Sequence, residues 1–204
     1  MKLAVQGIQK SFSGKRILKD ISFEISQGQS LAFTGHNGSG KTTLIRILCA
    51  LSRQDKGEIV FSKNDKTIKP EFFKDHFSLV GPYLQLYEEL TAFENLKFLA
   101  RLKSIKNGDD SAFSLINQVG LKGRAHDPVK TYSSGMKQRL KYAFALLSSP
   151  DVLFLDEPTS NLDKDGINKV YEIMKNQKQE KILIFATNDE NDLKLADQVV
   201  QVDA

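Results

Sequence analysis

Residues 35–42, Gly-His-Asn-Gly-Ser-Gly-Lys-Thr, restrict the chain more than any other stretch. They match G-x-x-x-x-G-K-[ST] at every fixed position. The pattern is informative only between a strand and a helix. Here SLAFT precedes it as a short apolar run, and TTLIRILCALS follows with helical spacing. Glycines let the backbone wrap closely, so that N–H groups point at phosphate oxygens. The start of the following helix adds a favourable dipole. Lys41 is placed to reach β- and γ-phosphates, and the Thr42 hydroxyl to ligate Mg²⁺. Gly35, Gly38, Gly40 and Ser39 form the cradle with Thr43 beside it, while His36 and Asn37 fill variable positions.

Two further segments fit a phosphate chemistry. VLFLDEP is an apolar strand ending in Asp156 and Glu157. Asp156 is positioned to hold Mg²⁺ through bound water. Glu157 is the candidate that orients or deprotonates an attacking water. In isolation such a pair also reads as a cap before a turn. YSSGMKQRLKYAFALL places Ser133, Ser134 and Gly135 before an amphipathic helix. That is either a second anion site or a plain N-cap.

The remaining texture is β-rich over residues 1–34 and helical over about 70–148, where FENLKFLARLKSI, SAFSLINQVGL and MKQRLKYAFALL carry three- and four-residue spacing. Beyond it come VLFLD, a helix around GINKVYEIMKN, and the strands KILIFA and DQVVQV. The fold class expected is α/β. It has a nucleotide-binding core with a mixed or parallel sheet, antiparallel β near the N-terminus and a helical subdomain at about 70–148. Residues 1–204 are expected to form a single domain.

Composition excludes several classes. No window approaches about 18 uncharged apolar residues, the length of a membrane span. The N-terminus lacks the apolar core of a signal peptide. The single cysteine, Cys49, excludes an internal disulfide and is expected on a buried helix position. Net charge is +4, but the bases are scattered without interleaved aromatics, so a nucleic-acid partner is not expected.

The order phosphate loop, helical insert, YSSGM-KQR, LFLDEPTSNLD and FATND resembles the ATP-binding subunit of ABC transporters over essentially the whole chain. The resemblance implies a Mg²⁺-dependent ATPase powering a membrane transporter. It would work as a head-to-tail dimer, with itself or a related ATPase subunit. Each ATP would lie between one subunit's phosphate loop and its partner's signature segment, here Ser133 to Gly135. It implies an adenine-stacking role for Phe12 and an interface role for SNLD, residues 160–163, ending in Asp163. It also implies an integral membrane partner supplied by another chain and engaged near residues 82–95. The location would then be peripheral, on the cytoplasmic face of the cell membrane.

Three departures stand out. YSSGM replaces the usual LSGGQ. The family's Mg²⁺-touching glutamine aligns with Pro82 or Tyr83, leaving Gln85 as the nearest candidate ligand. Asn188 occupies the place of a histidine that contacts the γ-phosphate, which implies slow or partner-dependent hydrolysis. Length, ELTAFENL and YSSGMKQR together resemble the ATPase of the cytochrome c-biogenesis heme exporter. The alternatives are a soluble ATPase of this type and a weakly hydrolysing binding subunit.

Overall fold

A computed structural model describes residues 1–203. The chain divides into two units. One comprises Met1–Leu79, Asp151–Pro158 and Met174–Ala204, the other Val80–Pro150 and Thr159–Ile173.

The first unit holds two sheets. Strands β1 (Lys2–Phe12) and β2 (Lys15–Ser26) form an antiparallel hairpin. Its two-residue turn is Ser13-Gly14, with φ of 48° and 81°. Two successive left-handed residues match the twist of a tight hairpin. β1 also pairs antiparallel with β4 (Lys56–Lys63), which pairs with β5 (Lys66–Ile68). The register of β1 shifts between Val5 and Ile8 against β2 and between Gln6 and Gln9 against β4. Gly7, with φ of 64°, sits at that bulge, so Leu3, Val5 and Ile8 all reach the core.

The second sheet has the order β6 (Phe77–Val80), β7 (Val152–Asp156), β8 (Ile182–Ala186), β3 (Ser30–Thr34), β9 (Gln198–Gln201). The pairs β7–β8, β8–β3 and β3–β9 are parallel. Every residue of β7 and β8 is buried. Strands covered on both faces read as continuous apolar runs, which is why VLFLD and ILIFA lack alternation. Helix α1 (Lys41–Leu48) contributes Leu44 and Ile45 to a core shared with Leu3 and Ile25 of one sheet and Phe33, Phe154 and Ile184 of the other. Each such fully buried side chain favours folding by about 1.5–3 kcal/mol.

Helix α1 stops earlier than its apolar spacing predicts. Ala50 has φ of 53°, Leu51 N–H donates to Arg46 O at 2.8 Å, and Ala50 N–H donates to Ile47 O at 3.0 Å. This is a Schellman termination with alanine where glycine is usual. Cys49 is therefore the buried residue that ends the helix, not one within it.

The second unit packs α2 (Ala92–Leu102), α3 (Gly108–Gln118) and α4 (Ser134–Leu146) around Leu96, Ile116 and Leu140. It begins at Val80, past the change of texture near residue 70, because Phe77–Val80 forms β6. Thr91 and Glu94 form a capping box at the start of α2. Asn95 is fully buried. Its side chain accepts from Tyr87 N–H at 2.8 Å and donates to Tyr87 O and Thr91 O, each at 2.9 Å. The lead-in to α2 is thereby fixed. It is zipped in turn to residues 128–130 by Lys130 N–H to Glu88 O and Val129 N–H to Leu90 O. Ion pairs Lys130–Glu89 and Lys137–Glu88, both 2.6 Å, flank this zipper. Helix α5 (Lys164–Glu180) runs from the second unit into the first, and α6 (Glu190–Leu193) follows β8.

Candidate functional site

In parallel sheets, ligands bind beyond the carboxyl ends of the strands. Phe33 of β3 and Asp156 of β7 both pair with Ala186 of β8, so three strand tips end at one level. Beyond them lie the loop 35–40, Glu157, and Thr187-Asn188. Backbone bonds lock the tips together, with Glu157 N–H donating to Ala186 O at 2.9 Å and Thr187 N–H to Phe33 O at 3.0 Å.

The loop requires its glycines on steric grounds. Gly40 has φ of 107°, and a Cβ there would come within 2.7 Å of Ile17 Cγ2 and 2.9 Å of Leu18 Cδ2. A Cβ on Gly35 would strike the carbonyl oxygen of Val202 and approach Ser39 Oγ to 2.7 Å. Lys41 is 6% exposed, and its ammonium donates to Gly35 O at 2.7 Å and His36 O at 3.3 Å. Thr42 Oγ1 donates to Asp156 Oδ2 at 2.8 Å. Ser39 Oγ is buried with no hydrogen-bond partner among the described residues.

A cavity of about 450 Å³ opens here, lined by Phe12, Asn37, Gly38, Lys41, Thr43 and Glu157 among others. Phe12 is 50% exposed at the end of β1, with the Lys10 ammonium 5.2 Å from its ring centre. Glu157 has φ of 55°, a conformation that costs a non-glycine residue about 1–2 kcal/mol. Residues held this way cluster at functional sites. Burial pushes its carboxyl above the usual glutamate range. Nearby Asp156, Asp192 and Asp189 push the same way, and Lys41 opposes them. Asn188 Nδ2 donates to Asn37 Oδ1 at 2.9 Å.

These donors suit a phosphate chain with a divalent cation. A buried ammonium, a glycine cradle without Cβ atoms and a helix start favour anionic oxygens. A hydroxyl 2.8 Å from a carboxylate is an oxygen pair of the kind Mg²⁺ takes.

The first unit thus gathers Phe12, residues 35–43, Asp156, Glu157 and Asn188. The second holds the others. Ser133 caps α4, its Oγ accepting from Met136 N–H at 3.2 Å. Gly135 lies against Asn161, whose carbonyl oxygen a Cβ would approach to 3.4 Å. Gln85, Ser134 and Asn161 line one groove. Asp163 caps α5, Oδ1 accepting from Gly166 N–H at 2.8 Å. Sequence reasoning missed Ile17, which closes on Gly40, and buried Asp192, which accepts from Thr187 Oγ1 at 2.7 Å. Neither carries a local signal, since both act through tertiary contact.

The family model "ABC transporter" matches residues 18–160. An uncharacterized ABC transporter ATP-binding protein of Bacillus subtilis, YdbJ, is 37% identical over 188 residues, which are 91% of this chain and 61% of that protein. The lantibiotic transport ATP-binding protein SrtF of Streptococcus pyogenes is 33% identical over 91% of this chain and 79% of its own length. This chain therefore spans about three-fifths of the first relative and four-fifths of the second. Among solved structures, an ATP binding subunit of an ABC transporter superposes with a TM-score of 0.85 at 27% identity, over 100% of this chain and 86% of that one. A dimeric ATP-binding cassette bound to ADP and Pi gives a TM-score of 0.86 at 20% identity, over 98% of this chain and 94% of that one, and shares the fold. On these matches, the chain belongs to the ABC transporter family of ATP-binding domains.

Proposed function

We propose that residues 1–204 act as one ATPase domain that binds and hydrolyses ATP to power a membrane transporter. The observation that carries this reading is one cavity lined by Lys41, Thr42 and Glu157, with Asp156 bonded to the Thr42 hydroxyl. Phe12 would stack on the adenine, and the N–H groups of residues 38–43 would receive the phosphates. Lys41 would leave the loop carbonyls to neutralise β- and γ-oxygens. Thr42 and Asp156 would hold Mg²⁺, which neutralises phosphate charge when bound. Glu157 would hold the attacking water and take its proton. Its raised proton affinity favours a base working nearer neutral pH. Gln85 remains a candidate for the Mg²⁺ shell.

The signature turn would act in a second subunit's site, through a head-to-tail dimer with itself or a related chain. Ser133, Ser134 and Gly135 at the α4 start suit a γ-phosphate. The membrane subunit would be another protein, engaged near residues 82–95, leaving this chain peripheral on the cytoplasmic face. No helix among the described residues is long and apolar enough to cross a membrane. The SrtF name favours transport of a lantibiotic. The heme-exporter variant rests on length, ELTAFENL and YSSGMKQR, and none of the relatives' names above carries it.

Ser133→Arg tests the dimer. Hydrolysis is expected to fall at least ten-fold while ATP binding to the single subunit stays within about two-fold. Equal loss of both in titration and turnover assays would contradict the sandwich.

A further inference from the structure

The crown of the phosphate loop is slung between two glycines, Gly35 and Gly38, with φ of 147° and 85°. Its inner ties all hold backbone. Ser39 N–H donates to His36 O at 3.0 Å, and Lys41 holds the carbonyls of Gly35 and His36. None of these holds Asn37. Its side chain instead reaches 151 residues along the sequence to the amide of Asn188.

Asn188 stands on a firmer base than the loop it touches. It follows the buried strand β8. Thr187 beside it is fully buried, bonded through N–H to Phe33 O and through Oγ1 to Asp192 Oδ2. Asp189 N–H donates back to Thr187 Oγ1 at 3.0 Å, and Asp189 Oδ1 caps α6 by accepting from Asn191 N–H at 2.7 Å. Residue 188 is thus bonded on both sides, while Asn37 lies between two positive-φ glycines, Gly35 and Gly38.

We propose that Asn188 is a positioning residue for the phosphate loop, acting through Asn37 and not on the reacting phosphate. The proposal rests on the ATPase reading above. When Lys41 turns to a phosphate, the carbonyls of Gly35 and His36 lose that donor. The Asn37–Asn188 bond then keeps the crown registered on the tip of β8. Its effect falls on nucleotide affinity, with the chemical step left to Glu157. An amide suits this task, since it carries donor and acceptor together and does not titrate.

The test is a double-mutant cycle on the full chain with Asn37→Ala, Asn188→Ala and the pair. ATP dissociation constants, KM and kcat are measured, with melting temperature as the check on folding. One neutral hydrogen bond predicts that each single change weakens ATP binding about three- to ten-fold. The pair should be no weaker than either alone, and kcat should move less than KM. Asn37→Ser serves if Asn37→Ala lowers the melting temperature. Multiplying effects would overturn the proposal. So would a kcat loss for Asn188→Ala that persists in the Asn37→Ala background, or unchanged affinity in both singles. Should the parent bind ATP without turnover, the ATPase reading fails, while the dissociation constants still decide the cycle.

Discussion

Replacing Glu157 with Gln is expected to slow ATP turnover by about 10²–10⁴ while leaving ATP affinity within a few-fold of the parent. The substitution keeps the shape of the side chain and removes its capacity to accept a proton. Burial and three neighbouring carboxylates hold that proton more tightly than in an ordinary glutamate. The sign of the pH dependence follows. The acting form is ionised, so parental turnover falls as pH drops through a value above the usual glutamate pKa of about 4.3. The folded state binds this proton more tightly than the unfolded chain does. Its contribution therefore favours folding below the unfolded pKa and is lost as pH rises through the folded value. At neutral pH, Glu157→Gln should accordingly melt no lower than the parent. Turnover unchanged by the substitution would remove Glu157 from the chemistry.

Lys41→Ala is expected to weaken ATP binding about ten- to a hundred-fold, the range of one or two charge-assisted hydrogen bonds. The ammonium is nearly buried and already anchored on Gly35 O and His36 O, so it reaches a phosphate without a long search through rotamers. Removing it leaves both carbonyls without that donor and the cavity without its buried cation. Equilibrium titration with ATP checks this, and parent-like affinity would mean that the loop holds something other than phosphate.

Much of the core was legible because its physics is local. VLFLD and ILIFA are continuous apolar runs because both faces of β7 and β8 are covered. The loop 35–42 announced itself because only glycine tolerates the approach of Ile17, Leu18 and Val202. The end of α1 was not legible, because alanine at position 50 takes the left-handed place where glycine would have marked the stop. The full length of β1 was hidden by the bulge at Gly7, which breaks the alternation that identifies a strand. At the site, the adjacency of Asp156 and Glu157 was visible, but the left-handed backbone that separates their directions was not. Asn188 was visible as a strand-end polar residue. Its partner, Asn37, lies 151 residues away and emerges only once β8 pairs with β3.

The central claim is that the cavity at the tips of β3, β7 and β8 hydrolyses ATP. The most direct measurement is phosphate release by the full chain, supplied with ATP and Mg²⁺ at concentrations that favour dimers. Continuous release is expected, abolished by removal of Mg²⁺ and slowed about 10²–10⁴-fold by Glu157→Gln. Saturable ATP binding with no release of phosphate above the uncatalysed rate would contradict it.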